Sequence, residues 1–151
     1  MPKKRFMIDT NVFIAAFKSG YTATTGLLLK LLLDPNVELV ADEVLLEEYK
    51  KWFNHISSKL PSIREQAETL YRLLEAKATI IIPREEDIKA VKPYIPETEP
   101  ADIYHAATCL RAGVILVTND KDFKNLRNHA KMEIWSITEA IRKLGVRHTK
   151  Q

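Results

Sequence analysis

Four short stretches of this chain place acidic or amide side chains where chemistry could use them. Asp9 directly follows the apolar run Phe6-Met7-Ile8 and is itself followed by Thr10 and Asn11. Thr118-Asn119-Asp120-Lys121-Asp122-Phe123 follows a second apolar run ending at Val117. Asp102 lies in Glu99-Pro100-Ala101-Asp102-Ile103-Tyr104-His105-Ala106-Ala107, and Glu47 and Glu48 lie in Leu45-Leu46-Glu47-Glu48-Tyr49. Hard divalent cations such as Mg²⁺ and Mn²⁺ prefer oxygen ligands. Three or four carboxylates drawn from separate elements could hold one or two such ions and leave positions open for water. One ion acidifies a water, and a second stabilises a leaving oxygen. Without the cation, like-charge crowding should raise the pKa of at least one acid.

Each residue also has an ordinary structural use. Asp9 could cap a helix, and Asp122 could cap a short helix carrying Phe123 and Leu126. Asp102 sits in a first helical turn, where a carboxylate suits the helix dipole. It borders the stripe of Ile103, Ala106, Ala107 and Leu110, which repeats at helical spacing. His105, three residues on, reads either as a ligand or as a satisfied half-buried histidine. Glu48 flanks the apolar side of its helix, and Glu47 is the alternative by a register of one. His55, His129 and His148 show no partner pattern and read as surface. Lys3, Lys4, Arg5, Lys50, Lys51, Lys121, Lys124 and Arg127 could contact phosphates around an acidic site.

The elements that must position these groups alternate short apolar runs with amphipathic stretches. Strands are expected at Phe6–Ile8, Val37–Val40, Thr79–Ile82, Val114–Val117 and Ile134–Ile137. A helix from Thr10 to Lys18 ends at Ser19-Gly20, and Thr22 or Thr24 caps the next through Leu33. Helices follow over Glu43–Lys59, Pro61–Lys77 and Glu85–Val91. Lys92 to Glu99, with Pro93 and Pro96, is expected to be a loop. Pro100 suits the first turn of a helix ending near Gly113, and a last helix closes at Leu144. Continuous apolar strands separated by helices predict an α/β fold, a three-layer α/β/α sandwich with a central, mostly parallel sheet. Ligands of such sheets bind beyond the strands' carboxyl ends. That is where Asp9, Asn119, Asp120 and Asp122 fall, provided the first and fourth strands are neighbours.

The 151 residues suit one domain with its own core. A hydrophobic fraction of 46% and a charged fraction of 28% are those of a soluble globular protein. No apolar run approaches the roughly 20 residues of a membrane span. The basic start Met1-Pro2-Lys3-Lys4-Arg5 is followed too soon by Asp9 to read as a signal peptide. Cys109 is the one cysteine, which excludes disulfides and cysteine zinc sites within the chain and suits a reducing cytoplasm. A net charge of +3 and a pI near 8.9 permit a nucleic-acid partner without requiring one.

The four stretches, in this order, resemble the PIN-domain nucleases and, among them, the VapC-like toxins of toxin–antitoxin pairs, over essentially the whole chain. Phe6-Met7-Ile8-Asp9-Thr10-Asn11-Val12 resembles the family's opening strand and first acid. Glu48 falls at the second acid. Ala101 to Thr108 resembles the third-acid helix and Ile115 to Phe123 the fourth-acid segment. The resemblance implies a metal-dependent endoribonuclease that hydrolyses phosphodiester bonds in single-stranded RNA, using one or two Mg²⁺ or Mn²⁺ ions. It carries the metal ligands over to Asp9, Glu48, Asp102 and Asp120, with Asp122 as an extra acid. Asn11 and Thr118 carry over as groups that orient metal or water. It also implies a homodimer and a cognate antitoxin, meeting at the helices from Glu43 to Lys77. Two other readings compete. One is a PIN-fold RNA-binding or scaffolding module without activity. The other is a haloacid-dehalogenase-like phosphohydrolase, which would want an acid two residues after Asp9, where Asn11 stands.

Overall fold

Apolar residues fill the carboxyl halves of the central strands and bury them on both faces, whereas the edge strand that carries Thr79 and Ile80 is largely exposed. The computed structural model describes residues 4–18 and 23–146; Lys3, the Ser19-Gly20 break, Thr22 and His148 lie outside them. The strands are β1 (Lys4–Ile8), β2 (Val37–Ala41), β3 (Ala78–Ile80), β4 (Ile115–Val117) and β5 (Glu133–Trp135). They form one sheet in the order β3-β2-β1-β4-β5. Every pairing in it is parallel, where the pattern predicted mostly parallel.

Seven helices connect and cover the sheet: α1 (Thr10–Lys18), α2 (Ala23–Leu33), α3 (Glu43–Lys59), α4 (Arg64–Lys77), α5 (Glu85–Val91), α6 (Pro100–Ala112) and α7 (Ile137–Lys143). Right-handed crossovers that step outward from β1 to β3, then reverse to β4, must put their helices on opposite faces. Accordingly α2 and α4 pack on β2 and α7 packs on β5 and α2, while α6, backed by α5, lies across β2 and β4. The result is a three-layer α/β/α sandwich. Chain direction reverses between β1 and β4, and a crevice opens there at their carboxyl ends.

Four local differences from the sequence expectation have physical reasons. β3 stops at Ile80 because its partner β2 ends at Ala41; Ile81 makes one last bond to the Ala41 carbonyl and Ile82 is left exposed. β5 stops at Trp135 because Ser136 leaves the strand to cap α7, taking the Glu139 amide at 3.0 Å. Pro61–Ile63 forms a 3-10 turn before α4 begins at Arg64. Lys92–Tyr94 is likewise a 3-10 turn, not loop, with Pro93 in its first turn. At the end of α6, Gly113 takes φ +66°, a left-handed cap that turns the chain directly into β4.

An aromatic cluster ties α3 to the β1 end of the crevice. Phe13 meets Tyr49 and Phe53 edge-on, with ring centroids 5.2 and 5.3 Å apart. Tyr49 is fully buried, and its hydroxyl donates to the carbonyl of Ile8, the residue before Asp9. Tyr49→Phe keeps the ring and removes the donor. A loss of about 1–2 kcal/mol is expected, read as a lower urea midpoint with an unchanged m-value; an unchanged midpoint would contradict this tether.

Candidate active site at the β1–β4 crevice

Every strand around the crevice hands over to a polar residue. β1 ends into Asp9, β2 into Asp42 and β4 into Thr118. Because β1 and β4 are neighbours, Asp9 and Thr118 meet, and the Thr118 hydroxyl donates to Asp9 Oδ2 at 2.6 Å. The Thr118 hydroxyl oxygen in turn accepts the Asp120 amide at 2.9 Å and the Asn11 side-chain amide at 3.3 Å. Thr118 has a single proton, which goes to Asp9, so its contact with Asn11 must be an Asn11 N–H. The Asn11 carbonyl oxygen is therefore the atom left over. It is buried, with no partner among the described residues.

Asp120 is the cap of the 3-10 helix Lys121–Asn128, accepting the Asp122 amide at 3.0 Å. This corrects the expectation that Asp122 would be the cap. Freed from that role, the Asp122 side chain lies by Asp102, with an oxygen of each within 4.8 Å of the other. Burial, first, then the neighbouring Asp122 carboxyl and the charges of Asp120 and Asp9 push Asp102 up to about 8, against a smaller opposing effect of His105. Glu99 joins this pair, and one oxygen from each of the three lies within 4.8 Å of the others. The sequence reading named Glu99 only as part of a motif. Asp9 lies beside this trio and feels the Asp120 and Glu48 charges; burial above all raises its pKa, and the Thr118 bond partly offsets this.

Glu48 approaches from α3. Its Oε1 accepts the Thr10 hydroxyl at 3.2 Å and its Oε2 lies 2.9 Å from His105 Nε2. Glu47, one position earlier, is exposed. The other ring nitrogen of His105 lies 2.8 Å from Asp42 Oδ2. Asp42 is 0% exposed, caps α3 through the Leu45 amide at 2.7 Å, and also receives Thr108 at 3.2 Å. With a carboxylate at each nitrogen, both nitrogens donate and the ring is an imidazolium. Burial alone would depress its pKa, but the bonds to Asp42 and Glu48 outweigh that and raise it to about 10. Sequence reasoning missed Asp42. The signal was present, since it follows β2 as directly as Asp9 follows β1.

The cationic candidates divide. Lys121, Lys124 and Arg127 line a cleft beside Asp120, and Lys51 lines another beside Glu48. Lys4 and Arg5 stand at the amino end of β1, away from the crevice, and Arg5 is held there by Glu38 at 3.1 Å and the Ala112 carbonyl at 2.6 Å. Their assignment to the site is therefore corrected. His55 is exposed, while His129 is half-buried against Tyr94 with ring centroids 5.4 Å apart.

The donor set suits a hard divalent ion. It is oxygen throughout, it holds more negative charge than it neutralises, and it includes a buried carbonyl without a donor. Among the described residues, Glu99, Asp102 and Asp122 are the acids close enough together to share one ion, and Asp9 and Asp120 lie near enough for their charges to act on Asp102.

A family model described as PIN domain matches residues 6–129, and the chain belongs to that family. Comparison with curated protein sequences finds no match. Among solved structures the chain is similar to VapBC-1 from nontypeable Haemophilus influenzae, with 20% identity and a TM-score of 0.56 over 89% of this chain and 98% of that one. FitAB bound to a DNA fragment is similar at 21% identity and a TM-score of 0.59, over 87% and 94%. VapBC-5 from Mycobacterium tuberculosis, a toxin–antitoxin member, is similar at 19% identity and a TM-score of 0.52, over 87% and 98%. These likenesses show a shared fold. They leave the haloacid-dehalogenase-like reading without support, and Asn11 is engaged with Thr118 where that chemistry would need an acid.

The Asp42–His105–Glu48 bridge sets a pH dependence. A histidine whose folded pKa is raised adds stability that is full below its ordinary value near 6.5 and is lost as pH rises through about 10. His105→Gln should therefore cost about 3 kcal/mol at pH 6, and the deficit should shrink steadily toward pH 10 in urea titrations. A deficit that does not change with pH would show that the ring is not held as an imidazolium.

Proposed function

We propose that the chain is a Mg²⁺- or Mn²⁺-dependent endoribonuclease that hydrolyses phosphodiester bonds in single-stranded RNA, and that it is the toxin of a toxin–antitoxin pair. The observation that carries this reading is the gathering of Asp9, Asp102, Asp120 and Asp122 at the switch point, where Asp102, Asp122 and Glu99 each bring an oxygen within 4.8 Å of the others. Structural carboxylates are usually paired with cations or amides, and a crowded set is what a metal-assisted phosphoryl site needs.

When bound, one or two divalent ions supply Lewis acidity, acidify a water and stabilise the leaving oxygen. The chain's own groups do the rest. Thr118 holds Asp9 in one orientation and links it to the Asp120 turn. His105 and Thr10 fix both oxygens of Glu48. The Asn11 carbonyl accepts from a water in the crevice. Asp102, with Asp122 and Glu99 beside it, would supply carboxylate oxygens to the ion, and a bound cation would favour the ionised form of Asp102.

An antitoxin partner is supported by the company this fold keeps, since solved relatives are toxin–antitoxin complexes. An apolar groove of about 270 Å³ lined by Phe17, Leu28, Leu29, Ile63 and Leu70 offers such a protein a surface. We take the working form to be a homodimer.

Asp9→Asn and Asp120→Asn are expected to lower RNA cleavage more than about a hundredfold with unchanged circular dichroism. EDTA should stop the wild-type reaction. Either variant cutting as well as wild type at matched metal would refute the site. Saturable RNA binding without Mn²⁺ binding or cleavage would instead favour a PIN-fold RNA-binding module.

A further inference from the structure

Residues 121–128 carry a three-residue repeat: Lys121-Asp122-Phe123, Lys124-Asn125-Leu126, Arg127-Asn128. In an α-helix such a repeat would wind away around the axis. The segment is a 3-10 helix, and at 3.0 residues per turn side chains at i and i+3 eclipse. The helix is therefore a three-edged rod. One edge, Phe123 and Leu126, is 1% and 0% exposed and packs into the core. A second begins with Asp122, which lies by Asp102 and Glu99 in the acid crevice. The third is Lys121, Lys124 and Arg127, all exposed and rising by about 6 Å per turn.

This third edge forms one wall of a cleft of about 280 Å³, whose other lining includes Asn119, Ile134 and Ser136. The cleft also contains Thr118 and Asp120, so it runs into the carboxylate site. Arg127 is steadied by Glu139 at 2.9 Å, and Glu139 is itself held by the Ser136 cap at 3.1 Å. A guanidinium has five donors, so most remain for a ligand. Surface cations are usually scattered and solvated. A straight row of three, one turn apart and starting at a carboxylate site, suits a polyanion with evenly spaced charges.

We propose that Lys121, Lys124 and Arg127 form a phosphate rail that seats two or three consecutive phosphates of a single RNA strand on one side of the cleavage point. The proposal rests on the nuclease reading for its substrate, but its test does not need cleavage. A fluorescein-labelled twelve-nucleotide oligouridylate is titrated with full-length protein in EDTA at several KCl concentrations, following anisotropy.

Each phosphate contact on a single strand contributes about 0.7 to the log–log salt slope. Lys121→Ala/Lys124→Ala/Arg127→Ala should flatten the slope by about 2 and weaken binding at least about tenfold at low salt, with an unchanged melting temperature. Lys124→Ala alone should flatten it by about 0.7. Lys59→Ala/Arg64→Ala/Arg72→Ala makes the same charge change on α3 and α4 and should leave the slope as it was. A wild-type slope in the rail variant overturns the proposal, as does an equal loss in the control. So does rail-dependent binding of hexaglutamate in the absence of RNA binding, which would make the row a dock for an acidic protein segment. If RNA binds along the rail but no metal supports cleavage, the nuclease reading falls and the rail stands. If the rail variant cuts with wild-type KM, the rail falls and the nuclease reading stands.

Discussion

Mutual repulsion among carboxylates is the constraint around which the rest of this structure is arranged. Asp9, Asp42, Glu48, Asp102, Asp120 and Asp122 are brought to one end of one sheet, Asp9 and Asp42 buried and the rest half-buried. Ionised and dry, such a set would cost far more than a domain's net stability. The chain answers in two ways. On one side it buries a cation, His105, between Asp42 and Glu48. On the other, burial and the neighbouring acids raise Asp102 to about 8, which favours its protonated form at neutral pH. The first is a permanent settlement, fixed by a fully buried cap. The second is provisional, because a proton with a pKa near 8 is easily displaced by a stronger positive charge.

The fold makes this collection possible through strand order. Placing β1 beside β4 brings residues 109 positions apart, Asp9 and Thr118, to 2.6 Å. The helix starts then do a second job. α3 begins at Asp42, α6 begins beside Glu99 and carries Asp102 in its first turn, and the 3-10 helix begins at Asp120. Helix amino ends favour nearby negative charge, so the same carboxylates that crowd the crevice are each partly supported by the element they start. Because the 3-10 helix sends one edge into the core and another into the crevice, its spacing also fixes the line of its cations.

Much of this was legible in the sequence, and the parts that were not share a cause. Apolar runs followed at once by Asp9 or Thr118 announced strand ends, and the run of β-branched residues before Pro83 announced β3. Those signals are local. The bond between Asp42 and His105 spans 63 positions, and nothing in either neighbourhood encodes it. Glu47 and Glu48 differ by 100° on a helix, and the choice of which faces Thr10 is made by how α3 packs. The exchange of roles between Asp120 and Asp122 followed from a helix type that sequence pattern alone did not reveal. Arg5 looked available for phosphate because charge shows in a sequence, whereas the end of the sheet it occupies does not.

A divalent cation entering this crevice must displace the proton that the raised pKa of Asp102 retains at neutral pH. Calorimetric titration of the metal-free protein with Mn²⁺ at pH 7, in two buffers of different ionisation enthalpy, tests this displacement most directly. Saturable binding with a net release approaching one proton, drawn from Asp102, is expected. Saturable binding with no proton release, or no binding at all, would contradict it.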